Sequence, residues 1–347
     1  MKVYNIAVFT GGLSTEHQIS LVSASSIQSV LKSSEYTLHI IGIDDKGQWW
    51  YYPDGNFTNG HTDVESIALS KKNRFQTYIV NSDNKAKLVY ADGEVLLDVA
   101  LPILHGFGGE DGRIQGFFDI VGLKYVGCGV MASAIAIDKQ ITKDVLRGAN
   151  IPVADGIAIS KGSVIPSFDE LSLKFDLPLY IKPACQGSSV GVSCVTNQKE
   201  LDAALNIAFD LDYKVLIEGC VQGREIECAI LGNENPKASP LGEVQTNGGF
   251  YDFNSKYVDN NASKLIIPAN LTNEVKLKIQ QYALKAFKAI GGCGLARIDF
   301  LLREDGSFVI NEINTMPGFT PISMYPKLWQ EANLSYTDLV KTLIELA

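Results

Sequence analysis

The sequence predicts an α/β protein of more than one domain, mixing parallel and antiparallel sheet. Three observations carry that expectation. The chain opens with an apolar strand, a glycine turn and a helix, the start of a doubly wound domain. Near its end, Leu295 to Gly318 reads as a β-hairpin. At 347 residues, the chain exceeds what one compact core usually supports. Hydrophobic residues make up 46% and charged residues 20%, a balance that suits a folded enzyme and excludes a disordered chain. A formal net charge of −9 argues against a broad nucleic-acid surface and leaves room for a local phosphate site.

Residues 5 to 9, NIAVF, form the first strand, Thr10-Gly11-Gly12 the turn, and about 20 to 32 the helix. Ligands of such domains bind at the carboxyl ends of the strands. Glu16 stands there, either complementing the helix dipole or accepting a substrate ammonium. A second strand follows at 37 to 43. From 44 to 93 the chain turns polar and aromatic, and Trp49, Trp50, Tyr51 and Tyr52 suggest a strand packing an insertion at a subunit contact. A third strand, 95 to 104, runs into HGFGGEDG at 105 to 112, whose glycines let backbone approach a ligand. His105 is there either a structural histidine or a substrate contact. A helix carrying Asp138, Lys139 and Lys143 is expected before Pro152.

Residues 179 to 195, LYIKPACQGSSVGVSCV, place a small-residue loop between two strands. This is neither the Walker pattern nor G-x-G-x-x-G, both of which lead into a helix. Its N–H groups and hydroxyls suit a flap over phosphates, with Lys182 as a point charge beside it. In VLIEGCVQGREIECAIL, 215 to 231, Glu218 near Val221 suits a base amino group and Glu225 suits ribose hydroxyls. Residues 241 to 262 carry few regular features and read as a lid. Thr272 caps a helix whose apolar positions recur at helical spacing until Gly291.

In the hairpin, Asp305-Gly306 is the turn signal. With those two residues as the whole loop, Asp299 faces Glu312 and Arg297 faces Asn314, all on one side. Facing carboxylates repel unless something positive lies between them. Carboxylate and carboxamide oxygens suit a hard cation, and Mg²⁺ carrying nucleotide phosphates is the commonest case. Six scattered cysteines without a C-x-x-C pair suit reduced thiols. No apolar run reaches the ~18 residues of a membrane span, so a cytoplasmic protein without a membrane or nucleic-acid partner is expected.

Together these stretches resemble the ATP-grasp enzymes, and among them the D-alanine–D-alanine ligases. GGLSTEHQIS, HGFGGEDG, KPACQGSSVGVS, FYDFNSKY, ARIDF and NEINTMPGFT follow the family's order over essentially the whole chain. The resemblance implies three α/β domains, 1–127, 128–218 with the flap at 186–191, and 219–347 with a lid at about 243–263 and the metal hairpin 297–314. ATP would lie between two antiparallel sheets of the last two domains. It implies ATP-dependent joining of two D-alanines through an acyl phosphate, for peptidoglycan precursors. The D-alanine–D-serine ligases and a non-catalytic ATP-binding module are the alternatives. Glu16, Ser188 and Tyr257 match a linked set at the first substrate, with Arg297 and the Gly318 N–H at the oxyanion and His105 nearby. Lys256, Ser323 and Met324 match the second site. Lys139, Lys182, Ser189, Glu218, Val221 and Glu225 match nucleotide contacts. Asp299, Glu312 and Asn314 match ligands for two Mg²⁺ ions, with Mn²⁺ as a substitute. A homodimer is the family tendency. Met324 offers no polar partner to a hydroxyl-bearing second substrate.

Overall fold

The computed structural model describes residues 3–31, 35–246 and 263–347. The N-terminal sheet is built on β1 (Tyr4–Gly11), whose six buried residues leave no solvated side. Helix α1 (His17–Val30) returns the chain to β2 (Tyr36–Ile43), which pairs parallel to β1. Then β3 (Trp49–Tyr52), β4 (Phe75–Ser82), β5 (Lys85–Tyr90) and β6 (Gly93–Leu96) extend the sheet antiparallel, and β7 (Val99–Ile103) returns to the other edge of β1. Helix α2 (Arg113–Val121) and β8 (Lys124–Tyr125) complete an eight-stranded sheet ordered β6-β5-β4-β3-β2-β1-β7-β8. The stretch expected as one strand at 95 to 104 is thus two, β6 and β7. The aromatic insertion is sheet: Trp49 packs edge-on to Phe9 at 5.4 Å and to Phe117 at 5.2 Å.

The expected helix around Lys139 is two helices, α3 (Val130–Ile137) and α4 (Lys139–Gly148), broken at Asp138. Asp138 is extended and caps α4, accepting from the N–H groups of Gln140 and Ile141. The central antiparallel sheet comprises β9 (Gly156–Ser160), β10 (Leu179–Pro183), β11 (Ser193–Val195) and β12 (Lys214–Gly219), with α5 (Phe168–Ser172) and α6 (Gln198–Leu211) on its outer face. Leu179 and Ile181 point into that outer core, so Tyr180 and Lys182 take the opposite face.

The third sheet is β13 (Arg224–Leu231), β14 (Lys237–Thr246), β15 (Ser263–Ile266), β16 (Leu295–Leu302) and β17 (Phe308–Asn314), ordered β15-β14-β13-β16-β17. Helix α7 (Asn273–Ala289), capped by Thr272, covers one face together with α3 and α4. The apolar side chains of residues 130–148 pack on the third sheet, while Asp138 and Lys143 reach Lys214 and Glu218 of the central one. β14 continues to Thr246, inside the stretch expected as a lid, and the rest of that stretch up to 262, with Lys256 and Tyr257, lies outside the described residues. Helices α8 (Met324–Glu331) and α9 (Tyr336–Leu346) share one apolar cluster with β1, α1 and β13. That cluster joins the N-terminal sheet to the third sheet and fixes their loops relative to one another.

Candidate active site

The β16–β17 hairpin differs in detail from the sequence expectation. Its loop holds three residues, Glu304, Asp305 and Gly306, because Arg303 N donates to Ser307 O and Leu302 pairs with Phe308. Gly306, at φ +81°, supplies the left-handed position of that turn. The pairing is then one residue out until a β-bulge, where Asn311 is the extra residue between Ile310 and Glu312. Beyond the bulge Asp299 faces Glu312 and Arg297 faces Asn314, as expected. The bulge also keeps Ile310 and Ile313 both in the core while Glu312 and Asn314 turn to the other face.

That face borders a cavity of about 450 Å³ reaching from Glu16 and His105 past Lys139 and Ser188 to Ser323. Arg297 is its centre of charge. It donates to both oxygens of Asp299, at 2.8 and 2.7 Å, and lies 3.0 Å from Glu227 on β13. Burial would weaken its hold on the proton, but Asp299 and Glu227 outweigh it and raise its pKa further. Asn314 Nδ2 donates to Asp299 at 3.0 Å. Lys139 spans the cavity wall, donating to the Gln186 carbonyl at 2.6 Å with its Nζ 3.9 Å from Glu312.

On the central sheet Glu218 lies between two lysines, Lys143 Nζ and Lys182 Nζ, each at 2.8 Å. Burial raises the Glu218 carboxyl, yet Lys182 and Lys143 bring it down to about 2. Lys182 also reaches Asn311 of the bulge at 3.4 Å, so it links the two antiparallel sheets. Both Glu225 on β13 and Glu312 act on its charge. Glu218, Lys182, Glu225 and Glu312 are thus brought together. Val221 sits half-buried in the turn between β12 and β13.

The flap is folded by two successive turns, Val190 N to Gly187 O and Val192 N to Ser189 O, with Ser188 and Ser189 both at positive φ. Ser188 Oγ donates to Glu16 at 2.6 Å and ties the flap to the loop after β1. That loop is held in turn by Ser20 Oγ, which accepts from Gly11 N at 2.7 Å and donates to the Ile103 carbonyl. Gly11 cannot carry a side chain: it sits at φ +89°, and a Cβ would lie 2.3 Å from the Ile43 carbonyl oxygen. His105 is buried, its Nδ1 donating to the Met316 carbonyl at 3.0 Å, and burial lowers its pKa. Gly318, Ser323 and Met324 line the far end. The Ser323 hydroxyl is tied to Thr320, and Met324 turns its side chain toward Gly242.

Sequence reasoning gave no role to Glu110, Lys143, Glu227 or Asn311. A buried acid at i+2 from Glu225 in an apolar strand is a signal that could have found Glu227, since such a group needs a cation. The doubled polar step Asn311-Glu312 between two isoleucines is the corresponding signal for the bulge.

The residues around this cavity belong to stretches with known relatives. Residues 5–128 match the family description "D-ala D-ala ligase N-terminus" and residues 145–345 match "D-ala D-ala ligase C-terminus". The chain is 45% identical over 350 residues to the D-alanine–D-alanine ligase of Proteus mirabilis, covering 100% of this chain and 96% of that protein. Among solved structures, the VanG D-Ala:D-Ser ligase of Enterococcus faecalis is similar with a TM-score of 0.86 and 32% identity, over 99% of each chain. The D-alanine–D-alanine ligase of Bacillus anthracis complexed with ATP is similar with a TM-score of 0.74 and 28% identity, over 100% of this chain and 97% of that one. The chain belongs to the D-alanine–D-alanine ligase family of ATP-grasp enzymes.

Proposed function

We propose that the cavity joins two D-alanine molecules at the expense of ATP, and that Ser188 holding Glu16 at 2.6 Å is the observation that best carries this reading. It closes the flap of the central sheet over the N-terminal loop, so a carboxylate and Arg297 line one cavity. Glu16 receives the ammonium of the first D-alanine, and Arg297 with the Gly318 N–H faces its carboxylate. Lys139 and Lys182 lie over the phosphates, Ser189 in the flap covers them, and Glu218, Val221 and Glu225 hold adenine and ribose. Both Glu218 oxygens already meet a lysine, and a carboxylate has lone pairs left to accept from an amino group. Lys256, Ser323 and Met324 bind the second D-alanine, and Tyr257 completes the linked set of Glu16 and Ser188 at the first.

The carboxylate of the first D-alanine attacks the γ-phosphorus and ADP departs. The amine of the second D-alanine then attacks the carbonyl, phosphate leaves with the carbonyl-bound oxygen, and the amine loses a proton. Arg297 and the Gly318 N–H stabilise the oxyanion that forms between those events. The hairpin fits a hard cation in its chemistry, because Asp299, Glu312 and Asn314 bring only oxygen-bearing side chains to one face. Those three residues would hold Mg²⁺, two ions in all, or Mn²⁺, which neutralises the phosphates for attack by an anion.

A second reading, with D-serine as the second substrate, is favoured by the similarity to VanG. The Met324 side chain, packed toward Gly242, puts no polar group at that end of the cavity, which supports D-alanine instead. Product analysis with ATP, Mg²⁺ and D-alanine, alone and against equal D-serine, separates them. D-alanyl-D-alanine as the dominant product is expected; a mixed dipeptide in excess overturns the second-site assignment, and absence of ADP overturns the whole. Among the described residues no helix is long and apolar enough to cross a membrane. A cytoplasmic homodimer goes with the proposal, and light scattering checks its stoichiometry.

A further inference from the structure

We propose that Glu110 is a positioning residue that, together with His105, grips both backbone polar groups of Met316 and thereby sets the direction of the Gly318 N–H. The inference rests on Gly318 facing the reacting carboxylate. Met316 N donates to Glu110 Oε1 at 2.9 Å, and His105 Nδ1 donates to Met316 O at 3.0 Å. The second carboxylate oxygen of Glu110 accepts from Gly106 N at 2.7 Å, so the same side chain is anchored in its own loop. Only Pro317 separates Met316 from Gly318, and its ring fixes φ, so a displacement of Met316 carries Gly318 with it.

The grip is firm at its base. Gln115 Nε2 donates to the Gly109 carbonyl at 2.7 Å, and a Cβ on Gly109 would lie 2.2 Å from the Leu104 carbonyl oxygen. Met316 is 206 residues from Glu110 along the chain, so the contact couples the N-terminal sheet to the bend that follows β17. Glu110 lines the same cavity as Glu16 and Arg297, and the three charges face one another across it. Burial and the Glu16 charge push the Glu110 carboxyl up to about 8, while the two N–H groups and Arg297 oppose the rise. An ammonium arriving at Glu16 adds a cation beside Glu110, favours its ionised form and strengthens its acceptance of the Met316 N–H. First-substrate binding and the placement of the oxyanion donor are thereby linked.

Glu110→Gln turns one of the two acceptor oxygens into a donor facing a backbone N–H, and Glu110→Asp keeps the charge but shortens the reach. Both variants, as full-length chains, are to be assayed for kcat, ATP affinity, melting temperature and the pH profile of kcat/KM for D-alanine. Misplacing a single oxyanion donor predicts a fall of about tenfold or more in kcat. ATP affinity should stay within about twofold of wild type, and the limb of the kcat/KM profile that rises toward pH 8, which belongs to the enzyme free of D-alanine, should be missing in Glu110→Gln. Wild-type kcat in either variant overturns the proposal. So does a parallel loss of ATP binding, melting temperature and kcat in both, which marks a residue of the fold alone. Arg297→Lys separates the layers: if it turns over normally, the reading of the cavity fails, whereas a crippled Arg297→Lys beside a normal Glu110→Gln overturns only the grip on Met316.

Discussion

Two glutamates in this chain lose much of their water and end at opposite extremes of acidity. Glu218, on β12, is 3% exposed at its side chain and lies between the Lys143 and Lys182 ammonium groups. Glu110, in the loop after β7, receives two backbone N–H groups and faces Glu16. Burial raises both carboxyls. The first is nevertheless brought down to about 2, and the second goes up to about 8. Whole cations overcome desolvation; peptide dipoles beside another carboxylate do not. Glu218 therefore serves as a fixed anion that positions two lysines, one of which reaches the bulge of the third sheet. Glu110 is left near the point where a substrate's charge can change its state.

The largest effect follows from breaking the compensated group. Glu218→Gln leaves Lys143, 3% exposed, and Lys182, 15% exposed, facing each other with no anion between them. A loss of ~3–5 kcal/mol in urea unfolding is expected, as for any buried ion pair that loses one partner. A loss below ~1 kcal/mol would show that water or rearrangement replaces the carboxylate and that the comparison is wrong on this side. ATP affinity should fall with it, since Lys182 loses the contact that aims it at the bulge.

How much of this was legible in the sequence depends on the distance over which each role is set. The hairpin was read from alternation and a turn dipeptide, both local, and its facing pairs came out as found. They did so through two compensating errors of register: the loop is one residue longer than Asp305-Gly306, and Asn311 bulges to restore the pairing. Alternation holds on either side of the bulge, and its one local mark is the doubled polar step Asn311-Glu312 between Ile310 and Ile313. The break at Asp138 had a local signal, a capping residue, yet lay inside a pattern that continued as helix on either side. Glu110 sat in the open, within a stretch singled out for its glycines. Its partner Met316 is set by tertiary packing alone, so nothing near it in sequence marked the role. Lys143 is placed on a helix by the sequence without a role, because its partner Glu218 reaches it from the central sheet.

A smaller effect comes from removing one of the two cations. Lys143→Met keeps the apolar stem and leaves Glu218 paired with Lys182 at 2.8 Å. The expected cost is ~1–3 kcal/mol, because a charge-assisted contact is lost while the carboxylate keeps one partner. If Lys143→Met is as damaging as Glu218→Gln, the two lysines do not share the anion, and Lys143 alone carries it.

The last contrast is in the pH dependence of stability, where the two glutamates should slope in opposite directions. The folded-state pKa of Glu218, about 2, is depressed below the unfolded value of ~4.3. Its contribution is present above ~4.3 and fades as pH falls toward 2. The folded-state pKa of Glu110, about 8, is raised, so its contribution is present below ~4.3 and fades as pH rises toward 8. Between pH 5 and 8 only the second slope operates. Wild type should therefore lose melting temperature relative to Glu110→Gln across that window, while near pH 3 to 4 Glu218→Gln should differ less from wild type than it does at neutral pH. Saturating D-alanine should flatten the second slope, because its ammonium lowers the pKa of Glu110 in the folded state. A difference between wild type and Glu110→Gln that stays constant from pH 5 to 8 would mean that Glu110 is already ionised there. In that case Arg297 and the two N–H groups, and not Glu16, set its charge.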